Sequence, residues 1–191
     1  ASSERQLVIL SNSKTTSEAW ALSADEPEGN WVCLAPRQDD HEYYPDHGLL
    51  DGQWSWLIRS NQAGINFALY QAPERTPQRE HWNELIGHSD SVMLEDVSLN
   101  ANAVTLSLRE AGLPIIEVRP SAAAPYRVQL PDAAYSLHVH NTLEFDSPVI
   151  RLRYEALNRP AQIRQLSLAD GQQQVLKETP VEGPFDADAY E

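Results

Sequence analysis

Apolar and polar residues alternate over short stretches along most of this chain, which is the pattern of β-strands with one buried face. The stretches come in pairs joined by polar turns at residues 12–16, 61–64, 110–112 and 156–159. The pairs recur every ~45–50 residues, starting at Leu7, Trp54, Val104 and Val149. Thirteen prolines and few apolar sets at helical spacing argue against long helices.

Shorter strands flank these pairs. One follows each pair, at residues 31–34, 82–86, 126–130 and 174–177. Another precedes the last three pairs, at residues 41–44, 92–99 and 134–140. Four antiparallel strands per repeat are typical of β-propeller blades. The sequence therefore predicts an all-β fold, an incomplete β-propeller of about three and a half four-stranded blades at 5–37, 41–87, 92–131 and 134–178, followed by a linker at 179–191.

Aromatic residues on these strands predict where the blades pack. We expect five of them to lie between blades, Trp20, Trp54, Trp56, Phe67 and Trp82. Trp54 and Trp56 fall on one face of one strand, which we expect to be buried. An incomplete ring leaves two end faces, both expected to be apolar, and an open sheet edge. The sequence therefore predicts a homodimer through these surfaces.

The net charge of −14, from 28 acidic and 14 basic residues, narrows the range of partners. Such a field makes nucleic acid and membrane surfaces poor partners and favours cationic ligands. No apolar run approaches the length needed to span a bilayer, and residues 1–4 do not resemble a secretory leader. Cys33 is the only cysteine, so no internal disulfide can form, and we expect a cytoplasmic location.

Several short motifs resemble one known family when they are taken in order and at their spacing. They are KTTSE at 14–18, DHEY at 40–43, LIRSN at 57–61, NFALY at 66–70, WNELI at 82–86 and IRLRY at 150–154. Together they resemble the propeller of oligopeptidase B-type members of the prolyl oligopeptidase family of serine peptidases. The turn at 156–159 departs from the serine- and threonine-rich turn expected there.

The resemblance implies a substrate-gating role. In that family a seven-bladed propeller covers an α/β-hydrolase domain and admits only short peptides. The parent protein would hydrolyse such peptides, after Lys or Arg, by acyl transfer through Ser, His and Asp. This chain would be a non-catalytic piece of the propeller, with the hydrolase domain as its partner in cis, and its acidity would help to concentrate cationic peptides. The rival interpretation is a protein-binding scaffold of the WD40 or kelch type.

A catalytic serine on a hydrolase domain requires a G-x-S-x-G elbow, and the chain has none. The nearest stretch is GHSDS at 87–91, which contains all three residue types of a triad. Adjacent residues cannot converge on one reacting atom, so we interpret it as a loop between blades.

Other polar groups are candidates for a metal site or for a pair of catalytic carboxylates. His138 and His140 share a strand face and could bind a metal with Glu144 or Asp146. Acidic and imidazole groups also gather at residues 39–42 and 46–47. Paired carboxylates for glycoside hydrolysis could come from Glu95, Asp96, Glu110 and Glu117. None has the spacing of an established motif, so the sequence predicts no catalytic, cofactor-binding or metal-binding residue and no cofactor.

Overall fold

The structure is a computed structural model and describes residues 1–140 and 144–183. Fifteen strands form four separate antiparallel sheets in the described residues. Blade 1 contains β1 (Gln6–Asn12), β2 (Ser17–Ser23) and β3 (Val32–Ala35). Blade 2 contains β4 (Tyr43–Leu50), β5 (Gln53–Ser60), β6 (Ala68–Pro73) and β7 (Asn83–Ile86). Blade 3 contains β8 (Val92–Asn100), β9 (Ala103–Glu110), β10 (Leu113–Pro120) and β11 (Tyr126–Arg127). Blade 4 contains β12 (Tyr135–His140), β13 (Val149–Ala156), β14 (Arg159–Ser167) and β15 (Gln173–Glu178).

This architecture confirms the predicted all-β, partial-propeller fold. Each sheet is a meander in which consecutive strands are neighbours. The one helical element among the described residues is a single 3₁₀ turn at Arg79–His81. No helix in that part of the chain has the length and apolar character that crossing a bilayer requires. Most of the predicted linker, from residue 184 onward, lies outside the described residues.

Strand β4 is longer than the sequence predicted, because it runs on to Leu50 rather than ending at Tyr44. Pro45 and Gly48 interrupt the alternating pattern that would have revealed its second half. A proline is tolerated here because β4 is the edge strand of its sheet and needs no donor on its open side. A Cβ at Gly48 would lie 3.1 Å from Leu99 on β8, so the glycine lets two neighbouring blades approach closely.

Three apolar clusters join the four blades face to face. We call them seams, and each takes residues from two adjacent sheets. The 1–2 seam contains Ala19, Ala21, Leu34, Ala35, Tyr43, Trp56, Ile58, Ala68, Tyr70 and Ala72. The 2–3 seam contains Leu57, Phe67, Leu69, Leu94, Leu99, Val104, Leu106 and Leu108. The 3–4 seam contains Ala103, Ile116, Val118, Val128, Leu137, Ile150, Leu152, Tyr154, Leu166 and Leu168. Because successive side chains alternate, Trp56 and Leu57 enter different seams from one strand.

The five expected inter-blade aromatic residues divide by position. Trp56 and Phe67 are buried, and Trp54 and Trp82 are partly buried. Trp20 is exposed to 37%, because it lies on the outer face of blade 1, where the described structure places no neighbouring sheet. The expectation for Trp20 was therefore wrong in this structure.

The two end faces differ, and the expectation that both are apolar was wrong. On blade 1, Leu7, Ile9 and Trp20 project outward and are exposed. On blade 4, the outward positions of β13 are Arg151, Arg153 and Glu155, and those of β12 include His138 and His140. Ile150, Leu152 and Tyr154 of β13 point inward to the 3–4 seam, whereas the half-buried Val149 shares the outer face with the arginines.

Candidate functional site

Strands β4, β8 and β12 are the first strands of blades 2, 3 and 4, and each is an edge strand of its sheet. We call them the inner strands, and together they border a cavity of about 360 Å³. Asp46 of β4, residues 97–100 of β8 and Val139 of β12 form its walls. The segment before β1 and the residues that follow β12 complete it, contributing Glu4, Glu144 and Phe145. Among the described residues, three carboxylates line this cavity, and the lining includes no lysine, arginine or histidine side chain; the one cation there is the amino group of Ala1. Its chemistry suits a cationic group.

Short backbone and side-chain bonds hold the cavity walls in place. Asp46 accepts hydrogen bonds from the backbone N–H of Ser2, at 2.8 Å, and from the Ser2 hydroxyl. On the opposite wall, the Ala101 N–H donates to the carbonyl of Phe145 at 2.7 Å. Asn100 donates from Nδ2 to the carbonyl of Ser147 at 2.9 Å. The Asp46 bonds tie the segment before β1 to blade 2, and the other two tie the turn after β8 in blade 3 to residues 145–147 of blade 4.

An aromatic pair lies beside the cavity. The rings of Trp54 and Phe145 are stacked, with centroids 6.1 Å apart. The Arg5 guanidinium lies 4.7 Å from the centre of the Trp54 ring, within the range of a cation–π contact. Trp54 is therefore partly covered by polar and aromatic neighbours, not enclosed within a seam.

A serine, a histidine and a glutamate also meet at the base of blade 2. The Ser3 hydroxyl lies 2.7 Å from His47 Nδ1, and His47 Nε2 lies 3.5 Å from Glu74 Oε1. Glu74 is also paired with Arg5, at 3.3 Å. Sequence reasoning missed this group because its members lie far apart along the chain, and no local motif connects them.

The Ser3 group has the residue types of a catalytic triad, but its setting is structural. His47 is fully buried and Ser3 nearly so, which leaves no room for a substrate carbonyl beside the hydroxyl. Burial lowers the pKa of His47, while the Glu74 carboxylate acts in the opposite direction. The contacts among Ser3, His47 and Glu74 therefore hold the segment before β1 against blade 2.

The GHSDS stretch at 87–91 forms the connection between blades 2 and 3. Its His88 Nδ1 lies 3.8 Å from the exposed Asp90 carboxylate. The Ser89 hydroxyl instead accepts from the backbone N–H groups of Ser91 and Val92, as in a polar turn. This geometry is that of a loop closed by hydrogen bonds from its own backbone to a serine side chain.

The residues considered for a metal do not converge. His138 and His140 lie on the outer face of blade 4, opposite Arg153 and Arg151 in the strand register. Glu144 lines the central cavity, and Asp146 contributes its carbonyl to Asn102 Nδ2 at 3.0 Å. Within residues 1–140 and 144–183, no group of three or more potential ligands is close enough to hold a metal ion.

Four members of the acidic and imidazole stretches make contacts within the protein, while Asp39 and Asp40 are exposed. Glu42 accepts from the Tyr44 hydroxyl at 2.9 Å, and His41 Nε2 lies 2.9 Å from the Ser60 hydroxyl. Of the second stretch, Asp46 and His47 bind the segment before β1, as described above.

The carboxylates considered for glycoside hydrolysis belong mostly to ion pairs on blade 3. Glu95 is paired with Arg109 at 2.5 Å. Glu110 lies 2.6 Å and Glu117 lies 3.5 Å from the Arg127 guanidinium. Asp96 lies in the field of Arg59. Three of the four are thus engaged by arginines.

Comparison with known proteins gives a consistent family. The sequence matches the family described as prolyl oligopeptidase, N-terminal β-propeller domain, over residues 1–179. It is 28% identical over 190 residues to dipeptidyl aminopeptidase BI of Pseudoxanthomonas mexicana, covering 99% of this chain and 26% of the relative. Protease 2 of Moraxella lacunata is 24% identical, with 96% and 26% covered.

Solved structures agree with this match. Oligopeptidase B from Leishmania major superposes with a TM-score of 0.85 at 25% identity, covering 100% of this chain and 28% of that one. Oligopeptidase B from Trypanosoma brucei superposes with a TM-score of 0.83 at 23% identity, covering 96% and 27%. The chain therefore spans about a quarter of the length of the curated relatives it matches. It belongs to the prolyl oligopeptidase N-terminal β-propeller domain family.

Proposed function

We propose that this chain is the substrate-gating part of a serine oligopeptidase, and that it has no peptidase activity of its own. The protein that carries it would hydrolyse short peptides, after Lys or Arg, in a separate α/β-hydrolase domain. The observation on which the gating proposal rests is the cavity at the inner strands, lined by carboxylates and by no basic side chain.

The cavity and the family support each other. Inner strands of a propeller surround its central channel, so a charge placed there acts on whatever passes along the axis. Glu4, Asp46 and Glu144 give this passage a negative potential, in a protein whose net charge is already −14. Two relatives carry names of peptidases, and two structural neighbours are oligopeptidases B. A WD40- or kelch-type scaffold is disfavoured by the family match.

The cation preference can be measured on this chain directly. A short amidated peptide containing two arginines should bind more tightly than the same peptide with the neutral isostere citrulline. The double substitution Glu4→Gln/Glu144→Gln should weaken binding of the arginine peptide by about two- to thirtyfold, since exposed carboxylates contribute about 0.2–1 kcal/mol each. Calorimetric titration at low and high salt would measure this.

Glu155→Gln is the matched control, because this exposed carboxylate lies on the outer face of blade 4, away from the cavity. Equal binding of the arginine and citrulline peptides would contradict the gating proposal. So would an equal effect of Glu155→Gln and the cavity substitutions.

The absence of peptidase activity is tested separately. We expect no turnover of a fluorogenic Arg-Arg substrate and no labelling of Ser3 by a serine-directed phosphonate, because the Ser3 hydroxyl is buried against His47. Turnover that the phosphonate blocks would overturn this part of the proposal. Cleavage after Lys or Arg is tested on the longer protein, where arginine peptides should be preferred over otherwise identical proline peptides.

A further inference from the structure

Blade 2 carries an unusual set of buried imidazoles. His41 is exposed to only 3% and His47 not at all. Each has one ring nitrogen bonded to a serine hydroxyl, His41 to Ser60 and His47 to Ser3. Each also has one buried ring nitrogen that makes no hydrogen bond, Nδ1 of His41 and Nε2 of His47, although His47 Nε2 lies 3.5 Å from the Glu74 carboxylate. Protonation would place an N–H donor and a positive charge at this buried nitrogen, where no acceptor is hydrogen-bonded to it. Because a buried donor without a partner is costly, both sites favour the neutral ring.

Both imidazoles lie where blade 2 meets blade 1 and the segment before it. His41 stacks on Tyr43 at 5.2 Å, and its carbonyl accepts from the backbone N–H of Ser17 on β2. Tyr43 in turn donates its hydroxyl to the Ala35 carbonyl at 2.6 Å and accepts from the Ala19 N–H at 2.7 Å. A change at His41 therefore acts directly on the bonds that hold the two blades together.

The charged groups around each ring determine what protonation would do. His41 faces Arg79, a second cation, along with the aromatic rings of Tyr43 and Trp82. Burial lowers the pKa of His41, and Arg79 lowers it further.

The surroundings of His47 are mixed. The carboxylates of Glu74 and Asp46 face it, and so do the cations of Arg5 and the Ala1 amino group. Burial is the largest influence and lowers the pKa of His47 despite the nearby carboxylates. Neither ring can take up a proton without placing a charge in or beside an apolar seam.

We propose that the 1–2 seam is an acid-sensitive joint, held closed by the neutral imidazoles of His41 and His47 and loosened when they bind protons. Among the described residues, the two histidines of blade 4, His138 and His140, lie on the exposed outer positions of β12 and not in the 3–4 seam, so this seam should not respond over the same range. His41 and His47 are harder to protonate in the folded chain than in the unfolded chain. Their contribution to the stability of the fold is therefore complete above about pH 6.5 and is lost as pH falls below that value.

Hydrogen–deuterium exchange on the whole chain tests the joint. Protection factors, normalised to intrinsic rates, are compared at about pH 7.5 and about pH 5.5, on either side of the ordinary imidazole pKa. We expect the protection factors of the backbone amides in β2 and β4 to fall by about tenfold or more at the lower pH. A tenfold change is what one titrating group gives about one pH unit below its ordinary pKa. Strands β13 and β14 should keep theirs.

Variants assign the effect to the two rings. Gln at position 41 keeps a polar group near the Nε2 position, and Asn at position 47 keeps one near Nδ1, but neither titrates. In the double variant His41→Gln/His47→Asn the loss of protection at acid pH should disappear. His138→Gln, on the exposed outer face of blade 4, is the matched control and should behave as wild type. Loss of protection that is equal in both seams, or that persists in the double variant, overturns the proposal.

A measurement on the wild-type chain covers the case of a double variant that does not fold. Nuclear magnetic resonance titration of the imidazole protons should show that His41 and His47 titrate clearly below the ordinary imidazole pKa of about 6.5. Assignment through the single variants identifies them. If His41 and His47 titrate at the ordinary imidazole value, the joint as proposed does not exist.

Discussion

The two ends of this array of blades are both antiparallel meanders, but their outer faces have opposite chemistry. On blade 1 the outward positions of β1 and β2 include Leu7, Ile9 and Trp20, all substantially exposed. On blade 4 the corresponding positions of β13 are Arg151 and Arg153, while its inward positions are apolar. Alternation alone identifies which residues point away from a seam. The residue types at those positions then distinguish a face that another surface should cover from one that is suited to water.

The difference changes the expected mode of self-association. A head-to-tail contact would place the apolar face of blade 1 against the arginines of blade 4 and remove these charges from water, which is costly. A two-fold contact pairs the apolar face with itself and leaves the charged face in water. We therefore propose that the homodimer forms through the outer face of blade 1 alone.

The end blades are also attached differently. Blade 1 is joined to blade 2 through the buried Tyr43 hydroxyl and the aromatic residues of the 1–2 seam. Blade 4 is tied to the connection before it by Asp132, which accepts from the Tyr154 hydroxyl and pairs with Arg159 at 3.0 Å. Substitutions at either end can show which attachment contributes more to stability.

The largest effect is expected at Trp56, which is exposed to only 1% in the 1–2 seam. Trp56→Ala should lower the free energy of unfolding by about 3–5 kcal/mol, the range for large aromatic truncations in cores. Urea denaturation followed by circular dichroism would measure it. Trp31→Ala is the matched control, because Trp31 is 38% exposed and belongs to none of the three seams. Equal losses from both would show that the 1–2 seam contributes little.

At the other end, Asp132→Asn should lower the free energy of unfolding by about 2 kcal/mol, because charge-assisted hydrogen bonds to Tyr154 and Arg159 are lost. The same denaturation experiment measures it. The exposed Asp25 provides the control variant, Asp25→Asn, which should be close to neutral. A neutral Asp132→Asn would mean that blade 4 is held by its apolar seam alone.

Self-association tests the contrast between the two faces. Ile9→Lys should weaken dimerisation by about tenfold or more, equivalent to about 1.4 kcal/mol, because it places a charge on the apolar face. Arg153→Gln, on the face of blade 4, should leave it unchanged. Light scattering after size exclusion over a concentration series would separate them. Weaker association of the Arg153 variant would favour head-to-tail contacts, and a wild-type chain that stays monomeric would remove the basis for a dimer.

The smallest effect concerns alkaline pH. Burial raises the pKa of Tyr43 to about 12, and burial together with Asp132 raises that of Tyr154 to about 12. Because both hydroxyls are harder to ionise in the folded chain, their stabilisation is present below about pH 10, the ordinary tyrosine value. It should be lost as pH rises from there toward 12. The variants Tyr43→Phe and Tyr154→Phe should each lose less stability at alkaline pH than the wild-type chain. Thermal unfolding measured across this pH range would show the difference. An unchanged profile in both variants would contradict it.

Much of the fold could be predicted from the sequence because strand alternation and turn residues are local signals. The hairpin of β9 and β10 is an example, with its turn at Ala111 and Gly112, where both residues have positive φ. The half of β4 that follows Pro45 was missed, since a proline at a sheet edge looks like a break.

The site was far less predictable than the fold. Ser3, His47 and Glu74 are brought together only when the segment before β1 crosses onto blade 2. Their spacing along the chain carries no signal of that contact. The turn at 156–159 departs from the family pattern, and the structure shows that Arg159 uses this place to bind Asp132.

Gly48 bears on the geometry of a whole ring. Closed propellers of four to eight blades turn by about 90° to 45° from one blade to the next. That turn depends on how much nearer two blades lie at the axis than at the rim, and Gly48 lets β4 approach Leu99 at the axis. A methyl group at position 48 would push β4 away from Leu99, so the sheets of blades 2 and 3 would become more nearly parallel. The absence of a side chain there thus favours a tighter ring with fewer blades and a narrower central channel.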